Sequence, residues 1–273
     1  MILGIAKKIN RDAVNLNTID VFILIGDSTQ EGAGSTTVPS APYNALMTDA
    51  LIYFKPDITA TDNGSWATYQ FVTNDKPGRN DGYNGSAPSP FFMHQMNTLK
   101  TRPFAVIKVA KGGTSLNGWS KGTNQWYQTF LNNFYAVCLP KLGALGYVPV
   151  IKAINVRLGT NDTATEGNTT NFKSRLGAFT SDIRTDLNLP LLPFYWYQVR
   201  SDLTNDALYI PANRTIIRDI LINASTEGHV DRISNFNLIN VDGTTADFED
   251  GVHFTATVNQ IQGIALANLL STL

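Results

Sequence analysis

Val21-Phe22-Ile23-Leu24-Ile25-Gly26-Asp27-Ser28 is an apolar run that stops on a glycine, an acid and a serine. A run without polar alternation suits a strand covered on both faces. Four further stretches read the same way: residues 104–110, 148–157, 190–199 and 236–241. Between them fall segments with apolar residues at helical spacing, at 123–138, 170–187, 205–223 and 256–272. Strands alternating with helices of this length predict an α/β fold with a parallel sheet and right-handed crossovers. Residues 31–103 fit less neatly. They predict helices over 41–52 and 91–99 and a long loop over 57–90, a lid or binding surface by its length.

Composition narrows the function. The 273 residues are 43% apolar and 16% charged, enough to bury a sizeable core. Twenty-one basic against 22 acidic residues give a formal net charge of -1, with no basic block for nucleic acid. No stretch is apolar enough to span a membrane. The single Cys138 excludes an internal disulfide framework and a multi-cysteine metal site, and its setting reads as helix core. Lys7-Lys8 follows a very short apolar opening, the reverse of a secretory signal, so the chain is read as not exported by that route or already trimmed. Its Asn/Thr/Ser/Gly-rich surface is a flavour common in extracellular and virion proteins. Asn-x-Ser/Thr triplets such as Asn161-Asp162-Thr163 read as chance products of that composition.

Each polar cluster follows a strand: Gly26-Asp27-Ser28, Lys111-Gly112-Gly113-Thr114-Ser115, Gly159-Thr160-Asn161-Asp162, and Asp250-Gly251-Val252-His253 before the last helix. In an open parallel sheet these strand ends face one crevice. Ser28 has two readings, helix N-cap or nucleophile, and His253 shifts the balance to nucleophile because a serine needs a neighbouring base. Asp250 is positioned to orient that imidazole, with Glu249 in reserve. Asn161 and the Gly112-Gly113 pair are candidate oxyanion donors, with the Ser28 N–H as a third. His94 reads as a helix or pocket-edge residue and His229 as a surface residue. Asp27, Asp162 and Asp250 offer a cation site in principle, but the Ser–His pair explains the same residues without metal. No phosphate-binding loop or dinucleotide pattern is present, so no cofactor is expected.

These four blocks, in this order, resemble the SGNH hydrolases, the GDSL-type esterase/lipase superfamily. Gly26-Asp27-Ser28 is similar to the first block, Gly112-Gly113 to the second, Gly159-Thr160-Asn161-Asp162 to the third and Asp250-Gly251-Val252-His253 to the last. The resemblance implies a three-layer α/β/α sandwich, flavodoxin-like, with a five-stranded parallel sheet. It spans residues 18–273, leaving 1–17 as an N-terminal extension and 30–103 as an insertion lining the site. It implies Ser28, Asp250 and His253 as a triad, Gly113 and Asn161 as oxyanion donors, and ester hydrolysis without metal or cofactor. Gly112-Gly113-Thr114-Ser115 followed by Trp119 is similar to the branch of sialate O-acetylesterases and acetylxylan esterases, although that branch usually opens Gly-Gln-Ser-Asn. The expected function is therefore removal of acetyl groups from a carbohydrate through an acyl-serine. The alternatives are a general short-chain esterase and a non-catalytic carbohydrate-binding or virion module. Trp119, Trp126, Tyr127 and the stretch from Arg79 to Tyr83 are candidates for a sugar-binding wall.

Overall fold

A computed structural model of the chain describes residues 17–32, 38–54, 66–71, 75, 87–122, 125–201, 208–240 and 252–273. Its strands are β1 (Asn17–Gly26), β2 (Met47–Phe54), β3 (Trp66–Tyr69), β4 (Phe104–Ala110), β5 (Tyr147–Arg157), β6 (Phe194–Tyr197) and β7 (Phe236–Ile239). They form one sheet in the order β3-β2-β4-β1-β5-β6-β7. Every neighbouring pair is parallel except β2 with β3.

The expected five strands are all present, but the sheet has seven. The two additions come from the 30–103 region, where the second half of the predicted helix over 41–52 is instead β2 and the first half is turn. Ala45, Leu46, Met47, Ala50 and Leu51 are good helix formers, yet Ala50–Phe54 pairs in parallel with Phe104–Lys108. Tertiary pairing overrides propensity here. Most of the stretch read as a loop over 57–90 lies outside the described residues, but Trp66–Tyr69 within it is β3.

The helices are α1 (Ser28–Glu31), α2 (Ser89–Leu99), α3 (Gln125–Thr129), α4 (Ala136–Ala144), α5 (Glu166–Asp186), α6 (Pro211–Ser225) and α7 (Ala256–Leu270). A π-helical segment, Phe130–Tyr135, joins α3 to α4. Alternate residues of β1 enter two cores. Ile19, Val21, Ile23 and Ile25 pack with Phe172, Leu176 and Phe179 of α5 and Ile217 and Leu221 of α6. Phe22 and Leu24 pack with Phe92, Met93 and Met96 of α2 and Leu266 and Leu270 of α7. Both faces are covered, as an apolar run without alternation requires.

Lys108 of β4 points into the second layer, fully buried. Its Nζ lies 2.6 Å from Asp75 Oδ1 and 2.9 Å from Ser89 Oγ, and Tyr69 donates to Asp75 Oδ2 at 2.8 Å. This network ties β3 and the start of α2 to the sheet. In turn α2 sets the position of α7. A Cβ on Gly263 of α7 would stand 2.3 Å from the Pro88 carbonyl oxygen and 2.8 Å from Phe91 Cβ. An exposed Gly→Ala change in a helix normally stabilises by up to about 1 kcal/mol. Here the sign is expected to reverse: Gly263→Ala should destabilise by about 1–3 kcal/mol in urea denaturation, because two backbones must separate. A rise in stability would contradict this packing.

Candidate active site

β1 lies between β4 and β5, where the order in which the chain adds strands reverses. The residues after these three strands therefore meet above one crevice. Asp27 follows β1, Lys111–Gly113 follow β4, and Gly159–Asn161 follow β5.

The N-cap of α1 is Asp27, whose Oδ1 accepts from Thr29 N–H at 3.1 Å. The capping role considered for Ser28 thus belongs to its neighbour. Ser28 is the first residue of the helix, partly exposed, and its hydroxyl is left for other work. His253, partly exposed and two residues before Thr255 at the N-cap of α7, meets it: Nε2 lies 2.9 Å from Ser28 Oγ. Two residues 225 positions apart are thus within hydrogen-bond reach. Asp250 and Glu249 lie outside the described residues.

The second block is held from three sides. Lys111 N–H donates to Gly26 O at 2.9 Å, and Gly112 N–H donates to Glu31 Oε2 at 2.9 Å. Leu116 N–H donates to Asp162 Oδ2 at 2.8 Å. Gly113 sits between these ties, exposed, at φ +73°, the left-handed region that favours glycine. The Gly112 N–H is thereby committed, whereas nothing among the described residues accepts from the Gly113 N–H. Asn161 is partly exposed. Its Nδ2 donates to Thr114 O at 3.1 Å, and Tyr209 Oη approaches its Oδ1 at 3.5 Å. One Nδ2 hydrogen makes the Thr114 bond, and the amide has a second.

Asp162 is fully buried, and its Oδ1 has no partner among the described residues. Burial pushes its carboxyl up to about 7, against the hydrogen bond from Leu116 and the more distant Arg175. Asp27 is also buried. Burial raises its pKa, opposed by the Arg157 guanidinium, the Thr29 N–H and His253. Arg157 is buried too, and its pKa is pushed down to about 10 by loss of solvent. Among the described residues, no group of three or more His, Cys, Asp or Glu is placed to hold a metal ion.

The sugar-wall candidates divide. Trp119 is fully buried, and its Nε1 donates to Thr114 Oγ1 at 3.1 Å, so it braces the second block from within. Tyr127 is fully buried and donates to Asp186 at 2.7 Å. Neither forms an exposed wall. Trp126 is partly exposed, with Lys111 Nζ 5.7 Å from its ring centroid. Residues 79–83 lie outside the described residues. Cys138 is buried, as read. His94 is partly exposed on α2, edge-on to Tyr43 at 5.0 Å, and His229 Nδ1 accepts from Asp231 N–H at 3.0 Å. Glu31, Asp162 and Arg157 are the residues whose parts the sequence reading missed. The signal available was a charge at the end of a buried strand, or beside one.

Comparison with known proteins places the chain in a family and the fold among solved structures. The family model for SASA, "Carbohydrate esterase, sialic acid-specific acetylesterase", matches residues 18–272. No curated protein matches the chain. Among solved structures, a protein from Arabidopsis thaliana superposes with a TM-score of 0.70 at 17% identity, covering 94% of this chain and 99% of the other. A carbohydrate acetylesterase from Xanthomonas citri gives 0.62 at 14% identity over 93% of this chain, which spans 57% of that one. A lipase/acylhydrolase from Enterococcus faecalis gives 0.55 at 11% identity, covering 93% and 96% of the two chains. At these identities the structures speak for a shared fold. The family match covers nearly the whole chain, and the protein belongs to the SASA family of carbohydrate esterases, the sialic acid-specific acetylesterases.

Proposed function

We infer that the protein is a serine-dependent carbohydrate O-acetylesterase working through an acetyl-serine. The single observation that carries this reading is the 2.9 Å approach of His253 Nε2 to Ser28 Oγ at the sheet edge. His253 Nε2 takes the Ser28 proton as Oγ attacks the acetyl carbonyl carbon. The oxyanion is held by the Ser28 and Gly113 N–H groups and the second Nδ2 hydrogen of Asn161. The imidazolium then protonates the departing sugar oxygen. Water attacks the acetyl-serine with the same base, and acetate leaves. Because Nε2 faces Ser28, Nδ1 is the position for an orienting carboxylate, a part assigned to Asp250. No step needs a metal. Trp126 beside Lys111 is the candidate for sugar contact among the described residues, and the stretch from Arg79 to Tyr83 stays a candidate beside it. The whole span from residue 18 to 273 is read as one catalytic domain.

The family supports a carbohydrate substrate, as does the likeness in fold to a carbohydrate acetylesterase. The test is acetate release from acetylated sialic acid, acetylated xylan and an aryl acetate by wild type and Ser28→Ala. Release from a sugar by wild type and none by Ser28→Ala is expected. Release from the aryl ester alone would favour a general short-chain esterase. No release from any ester by well-folded protein would favour a binding module. Asn161→Ala should lower kcat about 10²–10³-fold, as loss of one oxyanion donor does. A loss under threefold would remove Asn161 from the hole.

Asp162 gives a pH signature. The folded protein holds its proton up to about pH 7, while an ordinary aspartate releases it near 3.8. Folding thus retains a proton between those values. The stability this contributes is fully present at lower pH and is lost as pH rises to about 7. Relative to Asp162→Asn, which keeps an acceptor for Leu116, wild-type stability should fall by up to ~1.4 kcal/mol per pH unit across that window. Parallel pH–stability curves for the two proteins would show that Asp162 is ionised throughout.

A further inference from the structure

Arg157 ends β5, two residues before the Gly159 that opens the third block, and is 6% exposed. Nothing in the proposed acyl transfer uses it. Its contacts nevertheless reach both halves of the reacting pair. On the nucleophile side, its carbonyl accepts from the Asp27 N–H at 3.0 Å, and the charge of its guanidinium opposes the upward push that burial gives the Asp27 carboxyl. Asp27 in turn caps the helix whose first residue is Ser28. On the base side, the guanidinium carbon lies 4.5 Å from the ring centroid of Phe254, the residue after His253. It also donates to Gln262 of α7 and lies 4.9 Å from the Tyr197 ring of β6. Tyr197 Oη donates to the Gln262 carbonyl at 3.1 Å, closing the ring of contacts. A second guanidinium, Arg200, stands 5.3 Å from the Phe254 ring.

A lone structural ion pair would not need this shape. A planar guanidinium can lie against aromatic rings and still present in-plane N–H groups to an amide such as Gln262, which an ammonium cannot. Phe254 is 4% exposed, so its ring is fixed, and a fixed Phe254 fixes the backbone that carries His253. Catalysis by a serine–imidazole pair is sensitive to this distance: about 1 Å of misplacement costs about 10²-fold.

We propose that Arg157 is a positioning residue that sets the Ser28–His253 distance, its carbonyl holding the Asp27 backbone and its guanidinium holding Phe254. The proposal rests on the esterase reading above. Wild-type labelling of Ser28 by a fluorophosphonate tests that reading separately, so a failure there is not a failure here. Against labelled wild type, three variants are compared per titrated active site: Arg157→Met, Arg157→Lys and Phe254→Leu.

Arg157→Lys keeps the positive charge, and Phe254→Leu strands no charge, so both remain informative if Arg157→Met does not fold. The expected result for each is a kcat lower by about 10- to 100-fold with KM within about twofold, since the substrate is not touched. The His253 ring resonances should shift in Phe254→Leu, while those of His94 and His229 stay in place. A purely structural role would lower the melting temperature and leave kcat per active site unchanged. Wild-type kcat in either Arg157→Lys or Phe254→Leu would overturn the proposal.

Discussion

The contact between His253 Nε2 and Ser28 Oγ joins the end of the first strand to the approach of the last helix. Neither residue is near the other in sequence, so the contact exists only while several packings agree. β1 must lie between β4 and β5, so that three strand ends share one edge. α7 must sit on α2 at the close approach that Gly263 allows. Asp27 must cap α1 so that Ser28 is spared that task. The sheet supplies the first condition through its order, and buried polar contacts supply the rest.

Those contacts share a pattern. Asp162, Asp27, Arg157 and Lys108 are all buried, and each holds a loop or helix end. Burying a charge is costly unless it is paired and hydrogen-bonded. Apolar contact is non-directional, whereas a carboxyl oxygen accepting from one N–H fixes both distance and direction. Glu31 on Gly112 and Asp162 on Leu116 hold the loop on either side of Gly113, whose N–H no group among the described residues accepts. The same economy explains Trp119. Its indole nitrogen spans from the core to Thr114, so bracing the loop takes precedence over meeting a sugar.

Much of this was legible in the chain. Residues 20–25 and 104–110 read as strands because apolar residues fill every position, and both faces are indeed covered. Ser28 and His253 were legible because strand ends converge in a parallel sheet whatever their separation in sequence. β2 was not legible: Ala45 to Leu51 favours helix locally, and pairing with β3 and β4 makes Met47–Phe54 a strand. β3, four residues long, carries too short a pattern to read. Arg157 was hidden for a different reason. A charge at the last position of a strand reads as solvent-facing, and its role appears only once Asp27, Tyr197, Phe254 and Gln262 are seen around it.

The central claim is that Ser28 is a nucleophile activated by His253. It is tested most directly by treating the folded protein with a serine-directed fluorophosphonate and locating the adduct by mass spectrometry. The account requires one adduct, on Ser28, formed fast in wild type and at least about 10³-fold more slowly in His253→Ala, where the base is gone. No adduct on Ser28 in protein with a native circular dichroism spectrum, or equal labelling without His253, would contradict it.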